Sequence, residues 1–271
     1  MNKFSLFLLL LSTAFGTAQN AETYFENIRN NEAQLTAFFS QMPKGGDLHH
    51  HYSGSVYAEP LIAYAIKNNF YLNLETLEVQ PQRGTDGIWE SFEMIQKNGA
   101  LPLYQQKIIE KWSIKDFNGI SYPSDKQFFE SFGKFEATIK GTFEQGLLEL
   151  KNRAIKEQVS YIETQLSTIP CDMNTEDLTP YNEELRSLVA NKDEKAVFKA
   201  LDQLFATFNK REAAKYAANF NTNFVAKMHN DLKIDDAQFT MRYQNFVLRF
   251  MEPVDLFKNL VIAFISADNS P

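Results

Sequence analysis

The chain has 271 residues, of which 44% are hydrophobic and 23% charged, a composition typical of a globular protein with one large domain or two small ones. Its formal charge of −7 argues against a nucleic-acid partner, because proteins that bind nucleic acid usually carry a basic patch. The only cysteine is Cys171, so the sequence excludes an internal disulfide and any zinc site built from cysteines.

The first residues have the pattern of a secretory signal peptide, which we predict over residues 1–18. Lys3 supplies the positive start, residues 4–15 are mostly apolar, and the small residues Gly16 and Ala18 precede a cleavage point. No cysteine follows that point to hold a lipid, and no later segment is long and apolar enough to span a bilayer. We therefore expect an exported protein, periplasmic or secreted, without a membrane anchor.

The first half of the remaining chain shows three regular elements before its pattern becomes irregular. The spacing of apolar residues predicts a helix over 21–42, a short strand over 47–52 and a second helix that ends near Asn68. Residues 69–124 show only short extended pieces and turns. We expect residues 69–124 to be an irregular excursion from the core.

The second half alternates helices and strands. The pattern predicts a helix over 136–158, a strand over 159–166, helical structure over 197–228, a strand over 239–243 and a final helix over 255–267. The chain thus runs strand, helix, strand, helix, strand, helix. This order is typical of βα units, in which helices cover a parallel sheet.

Three consecutive histidines end the first predicted strand. Because side chains alternate along a strand, Asp47, His49 and His51 are expected on one face and His50 on the other. Two imidazoles on one face can bind the same metal ion, and zinc accepts imidazole nitrogen at about 2.0–2.1 Å. Spacing alone leaves two interpretations open, a metal site and a polar loop at a strand end, and His50 is interpreted as structural.

The longer segment Met42–Ser55 reads MPKGGDLHHHYSGS and resembles the opening signature of the adenosine deaminase family. The resemblance implies that His49 and His51 are zinc ligands and that the backbone of Gly54 approaches the nucleoside. The family often has aspartate at the position of Ser53, where the side chain helps to hold the ribose. Ser53 and Gly54 are therefore candidate substrate-binding residues.

Two further segments are similar to the same family. Gln127–Phe132 resembles the segment before the second strand, where Phe128 and Phe132 would form an apolar gate over the purine. Without the resemblance these two rings would be assigned to the core, because large apolar side chains are usually buried. Val159–Gln165 resembles the second strand itself.

The resemblance implies an α/β fold based on the (β/α)8 TIM-type barrel. We expect residues 19–271 to be the N-terminal portion of such a deaminase domain, a partial barrel with three βα units, an N-terminal helix and the irregular excursion. The family's third zinc histidine and acidic glutamate lie in a His-Ala-Gly-Glu string that this chain lacks. No catalytic residue is therefore predicted, His229 is interpreted as a surface residue, and we hypothesise a fragment or an interrupted gene product.

The predicted function is hydrolytic deamination of adenosine or a related purine nucleoside to inosine and ammonia by zinc-activated water. One alternative is another zinc hydrolase of the same superfamily, acting on adenine, a nucleotide or a modified purine. A second is a degenerate or truncated barrel without catalysis that acts as a binding or interaction protein. The sequence leaves the purine and the oligomeric state open.

Overall fold

A computed structural model describes residues 21–169, 171, 173 and 177–268 of the chain. The signal peptide predicted over residues 1–18 lies outside the described residues. In the described part, no helix combines the length and the apolar character that crossing a bilayer requires.

The structure is rich in helices and has six short strands within the described residues. The strands are β1 (Gly45–His51), β2 (Tyr71–Asn73), β3 (Val79–Gln80), β4 (Trp89–Ser91), β5 (Val159–Gln165) and β6 (Thr240–Tyr243). The helices of the first half are α1 (residues 21–28), α2 (Glu32–Gln41), α3 (Tyr52–Ser55), α4 (Ala58–Lys67), α5 (Phe92–Lys97), α6 (Leu101–Trp112) and α7 (Ser124–Ile139). Those of the second half are α8 (Phe143–Lys156), α9 (Tyr181–Ala190), α10 (Glu194–Thr207), α11 (Lys210–Phe220), α12 (Lys227–Asp231) and α13 (Pro253–Asp268). A 3₁₀ turn (Lys140–Thr142) joins α7 to α8, and a π-helical segment (Asn221–Ala226) joins α11 to α12.

The N-terminal helix is divided into two at residues 29–31, where Asn31 caps α2 by accepting a hydrogen bond from the backbone N–H of Gln34 at 3.1 Å. None of the residues of α2 is buried, and the aromatic rings of α1 and α2 pack mainly on one another. Lys44 ties this pair of helices to the rest of the protein. Its Nζ donates to the carbonyl oxygens of Phe39 and Glu157, each at 2.8 Å, near the C-terminal ends of α2 and α8.

The parallel sheet that holds the histidines has three strands in the order β1-β5-β6. Its inner face meets the larger core, where Ile162, Thr164 and Met241 are buried. Helix α8 precedes β5 and packs its buried residues Leu147 and Leu150 into the same core. One face of this sheet is therefore covered, and the other carries polar side chains.

The predicted partial (β/α)8 barrel is wrong. The three parallel strands form a small open sheet, the other three form a separate antiparallel sheet in the order β3-β2-β4, and no barrel closes among the described residues. Side chains of nearby residues also occupy backbone groups on the outer edge of the edge strand β6. The Met241 N–H donates to Asp235 Oδ1 at 2.9 Å, and the Met241 carbonyl accepts from Arg242 Nη1 at 2.6 Å. Side chains that occupy edge groups in this way discourage the addition of another strand.

The excursion over residues 69–124 is also not irregular. It contains the antiparallel sheet together with α5 and α6, which pack against α4 and α7. The Asn73 side chain organises the turn between β2 and β3 by accepting from the N–H groups of Glu75 and Thr76, both at 2.9 Å. Trp112 then donates its indole N–H to the Leu77 carbonyl at 2.8 Å, which fixes α6 against this turn.

The described residues bury two hydrophobic clusters. The larger one joins both sheets to helices α3 to α8, with Tyr52, Leu147 and Met241 among its buried members. The smaller one lies among α9, α10, α11 and α13 and includes Leu204 and Ile262. Helices α9, α10, α11 and α13 therefore pack around a core of their own, separate from the core beneath the parallel sheet.

Candidate metal centre

His49 and His51 converge at the carboxyl end of β1. Their Nε2 atoms lie 3.1 Å apart, and the ring centroids are separated by 4.9 Å with the planes inclined at 73°. Both side chains are exposed. Asp47 lies at the start of a register shift against β5 that extends to His50. Its Oδ1 accepts a hydrogen bond from the His49 N–H at 3.1 Å, so the carboxylate helps to shape the strand end.

The Nε2–Nε2 distance of 3.1 Å is that of a hydrogen bond between the two rings, and it can also be compared with the spacing of ligands on zinc. Tetrahedral zinc at ordinary Zn–N bond lengths holds neighbouring nitrogens about 3.3 Å apart, close to the observed separation. A third ligand is not in place, because no cluster of three or more His, Cys, Asp or Glu side chains suited to a metal occurs within the described residues. These residues therefore offer two ligands, which is fewer than the three that catalytic zinc sites usually take from protein.

His50 faces the opposite way and joins β1 to β5. Its Nδ1 lies 3.0 Å from Oγ1 of Thr164, a side chain that is fully buried. Burial lowers the pKa of His50, the charges of Arg153 and His51 lower it further, and Asp47 opposes them. A neutral His50 therefore links the two strands directly behind the exposed histidine pair.

The candidate substrate residues Ser53 and Gly54 lie in α3, the single helical turn that begins directly after His51. Tyr52 anchors this turn, because its ring is fully buried and its hydroxyl donates to the Thr142 carbonyl at 2.8 Å. Burial raises the pKa of Tyr52 to about 12, and the nearby Glu149 acts in the same direction. A β-carbon placed on Gly54 would lie 3.4 Å from Phe132 Cζ, so the structure brings Gly54 and Phe132 together.

Aromatic side chains form an exposed row along the first turns of α7. The Phe128 ring lies 5.1 Å from both Phe129 and Phe132 in edge-on geometry, and the Phe132 ring continues inward to Phe135 at 5.6 Å. Phe128 is 53% exposed and Phe129 is 71% exposed, so neither ring belongs to the core. Phe129 had no signal of its own in the sequence beyond its place between the two predicted residues.

Gln127 fixes the start of α7 beneath this row. Its buried amide Nε2 donates to three carbonyl oxygens at the C-terminal end of α6, at distances of 2.9–3.0 Å. The three carbonyls belong to Glu110, Lys111 and Ser113. The two N–H hydrogens of this amide are shared among three carbonyls that the end of a helix leaves without partners. The aromatic row is therefore presented from a rigid helix start.

A carboxylate on the open face of the sheet also lies beside β1. Glu163 accepts from the Tyr161 hydroxyl at 2.9 Å and from Gln244 Nε2 at 2.7 Å. Gln244 donates in addition to the Leu48 carbonyl at 3.0 Å, which connects the end of β6 to the residue before His49. The sequence gives no sign of this connection, since its members are single polar residues far apart in the chain.

A separate cavity lies beside the carboxyl ends of β5 and β6, as an open cleft of about 1050 Å³. The π-helical segment, the residues after β6 and helix α13 line it. His229 also lines this cleft, and its side chain is only 15% exposed, so its interpretation as a surface residue is wrong. It is held by the Tyr243 hydroxyl at 3.2 Å and Asp235 Oδ1 at 3.4 Å, contacts that depend on the loop between α12 and β6.

The chain matches no known protein family, and it matches no curated protein. The resemblance to the adenosine deaminase family therefore depends on the short sequence segments alone.

Proposed function

We propose that this chain is part of a zinc-dependent deaminase that acts on adenosine or a related purine nucleoside. The observation on which the proposal depends is the 3.1 Å separation of the two Nε2 atoms of His49 and His51, which suits two ligands of one zinc ion. The proposal also draws on their position, because ligands of open α/β sheets bind at the carboxyl ends of the strands. Export through the predicted signal peptide remains part of the proposal.

In this proposal His49 and His51 hold the metal, and bound zinc would supply a water of lowered pKa for hydrolysis. The turn with Ser53 and Gly54 would lie along the nucleoside, where the absent side chain of Gly54 permits close approach of the backbone. Phe128 and Phe132 would cover the base and exclude water, which strengthens polar contacts beneath them. The described residues, as they are arranged, supply no third ligand, and we assign no acid among them.

A non-catalytic binding protein is the second candidate. The observation in its favour is that the described residues offer two zinc ligands and no third. Such a protein would retain the metal pair and the aromatic row without turning over a substrate. Ammonia release separates the two functions, because only the enzyme produces it.

The test begins with cobalt, which reports zinc sites through its visible absorption. Purified protein is titrated with Co²⁺ and then with competing Zn²⁺, using His49→Ala and His51→Ala beside the matched control His229→Ala. We expect the parent to bind one equivalent of metal. The affinity for Co²⁺ should fall more than about tenfold in His49→Ala and in His51→Ala, and not in the control. The zinc-loaded protein is then assayed for ammonia release from adenosine, deoxyadenosine, adenine and adenosine monophosphate. Unchanged metal affinity in both His49→Ala and His51→Ala would refute the metal site.

A further inference from the structure

Two charged residues of α8 contact the chain directly after the histidine pair. Arg153 Nη2 donates to the Ser55 carbonyl at 2.7 Å, and its Nη1 pairs with Glu149 Oε1 at 3.2 Å. The same carboxylate oxygen accepts from the Tyr57 N–H at 3.3 Å. The guanidinium also lies over the Tyr57 ring, 4.5 Å from its centroid. We call Glu149 and Arg153 the α8 clamp, because together they bind both sides of the junction between α3 and α4.

The α8 clamp is a weak source of stability. Its two side chains are about four-fifths buried, with 20% and 19% exposed, and Glu149 Oε2 is buried without a hydrogen-bond partner among the described residues. Removing paired charges from water is costly, and replacing such a pair with apolar side chains of similar volume is often neutral. A carboxylate with one unsatisfied oxygen is a still weaker source of stability.

The local backbone explains what the α8 clamp can do. Helix α3 has only four residues, and a single turn does not hold its shape in isolation. The last carbonyls of α3 have no partners within the helix. The carbonyl of Ser55, at the C-terminal end of α3, accepts a hydrogen bond from Arg153. Tyr52 holds the beginning of the turn and the α8 clamp holds its end. His51 immediately precedes this turn, and Gly54 lies within it.

We infer that Glu149 and Arg153 are positioning residues, which fix the turn after His51 so that the histidine pair and Gly54 keep the geometry a metal and a ligand require. The role in metal binding rests on the proposed function, whereas the role in holding the turn does not. Groups that orient a site from behind its ligands act in this way in many metalloproteins.

The experiment compares a clamp variant, Glu149→Met with Arg153→Met, and a matched control, Lys227→Met with Asp231→Met. The control removes an ion pair of the same helical spacing from an exposed surface of α12. Hydrogen exchange of the amides of residues 52–57, Co²⁺ affinity and the thermal midpoint are measured in each full-length protein. For the clamp variant we expect the amide exchange rates of residues 52–57 and the Co²⁺ dissociation constant each to increase about tenfold. Its thermal midpoint should stay within a few degrees of that of the parent. The control should leave all three measurements unchanged.

Unchanged exchange over residues 52–57 would overturn the inference, and so would faster exchange with unchanged cobalt affinity. If the parent binds no cobalt through His49 and His51, the proposed function fails, and hydrogen exchange alone then decides whether the α8 clamp holds the turn. If the clamp variant does not fold, Arg153→Lys takes its place. It keeps the charge but cannot bridge Ser55 and Glu149 with two nitrogens, so the same outcomes decide.

Discussion

Gly54 and Phe132 face each other across α3 and α7 at ordinary van der Waals distance. A β-carbon on Gly54 would lie 3.4 Å from Cζ and 3.6 Å from Cε1 of the Phe132 ring. One methyl group therefore fits, whereas a larger side chain that extends towards the ring would displace it. The contact links a residue near the histidine pair to the exposed aromatic row.

The first prediction concerns this contact. Gly54→Ala should leave the fold intact, whereas Gly54→Leu should displace Phe132 and cost about 1–3 kcal/mol of unfolding free energy, the usual cost of overpacking. Urea unfolding measures that cost. Titration with adenosine in the presence of zinc should show weaker binding for Gly54→Leu than for Gly54→Ala. Equal stability and equal binding in the two variants would show that the gap between the elements is not filled as the structure indicates.

The second prediction concerns the support of Tyr52. A β-carbon on Gly146 would overlap the Tyr52 hydroxyl, the group that donates to Thr142, so Gly146→Ala must displace this anchor. We expect a loss of about 1–3 kcal/mol in unfolding free energy, partly restored by Tyr52→Phe in the same chain.

Gly133→Ala is the matched control for this substitution. Gly133 is also helical, but a β-carbon there meets nothing within 4 Å. Alanine should therefore stabilise the protein by roughly 0.5–1 kcal/mol, since glycine is the weaker helix former. If both alanine variants stabilise the protein, the close packing of Gly146 on Tyr52 is refuted.

The histidine pair could be predicted from the sequence because it depends only on local geometry. Alternation along a strand places His49 and His51 on one side whatever the rest of the chain does. The register shift against β5 between Asp47 and His50 shows the limit of that reasoning. Such a shift depends on the partner strand, which the local pattern does not contain.

The predictions of a partial barrel and of an irregular excursion were wrong for a related reason. Strands β2, β3 and β4 have three, two and three residues, too few for any period to show. The helix expected over 136–158 is divided by the 3₁₀ turn Lys140–Thr142, where the Tyr64 side chain packs on Gly141, a contact between distant parts of the chain. The α8 clamp was missed likewise, because Arg153 and Ser55 are 98 positions apart.

The third prediction is a pH dependence of stability that arises from His229. Burial lowers its pKa below the usual value, Arg242 and Lys151 act in the same direction, and Asp235 opposes them. The folded protein therefore binds fewer protons at this site than the unfolded chain does near the ordinary histidine pKa. Stability should fall as the pH is lowered through that range, and His229→Gln should lose this part of the fall.

Unfolding free energies of the parent and His229→Gln, measured from about pH 7.5 to about pH 5.5, provide the test of this dependence. The Tyr243 hydroxyl beside the ring stays protonated throughout, because burial raises its pKa. The expected result is a steeper pH dependence in the parent. Parallel curves for the two proteins would mean that His229 titrates in the folded state as it does in the unfolded chain.

The fourth prediction concerns the edge of the parallel sheet. Asp235 accepts hydrogen bonds from the Met241 N–H at 2.9 Å and from Arg242 Nη1 at 2.6 Å. The Asp235 carboxylate therefore pairs with the backbone N–H of Met241, and it also holds the Arg242 side chain, which covers the Met241 carbonyl. Asp235→Ala should cost about 1–3 kcal/mol, because the buried Met241 loses its acceptor. It should also increase self-association, since an uncovered strand edge can pair with another chain.

Asp231→Ala is the matched control, because Asp231 forms an exposed ion pair with Lys227 that should contribute less than about 1 kcal/mol. Urea unfolding and size-exclusion chromatography at increasing protein concentration separate the two effects. Asp235→Asn keeps an acceptor for Met241 and removes the charge, so it should fall between Asp235→Ala and the parent in stability and should remain as monodisperse as the parent. If Asp235→Ala matches Asp231→Ala in both measurements, the edge of β6 does not depend on this carboxylate, and its resistance to further strands must come from the shortness of the strand itself.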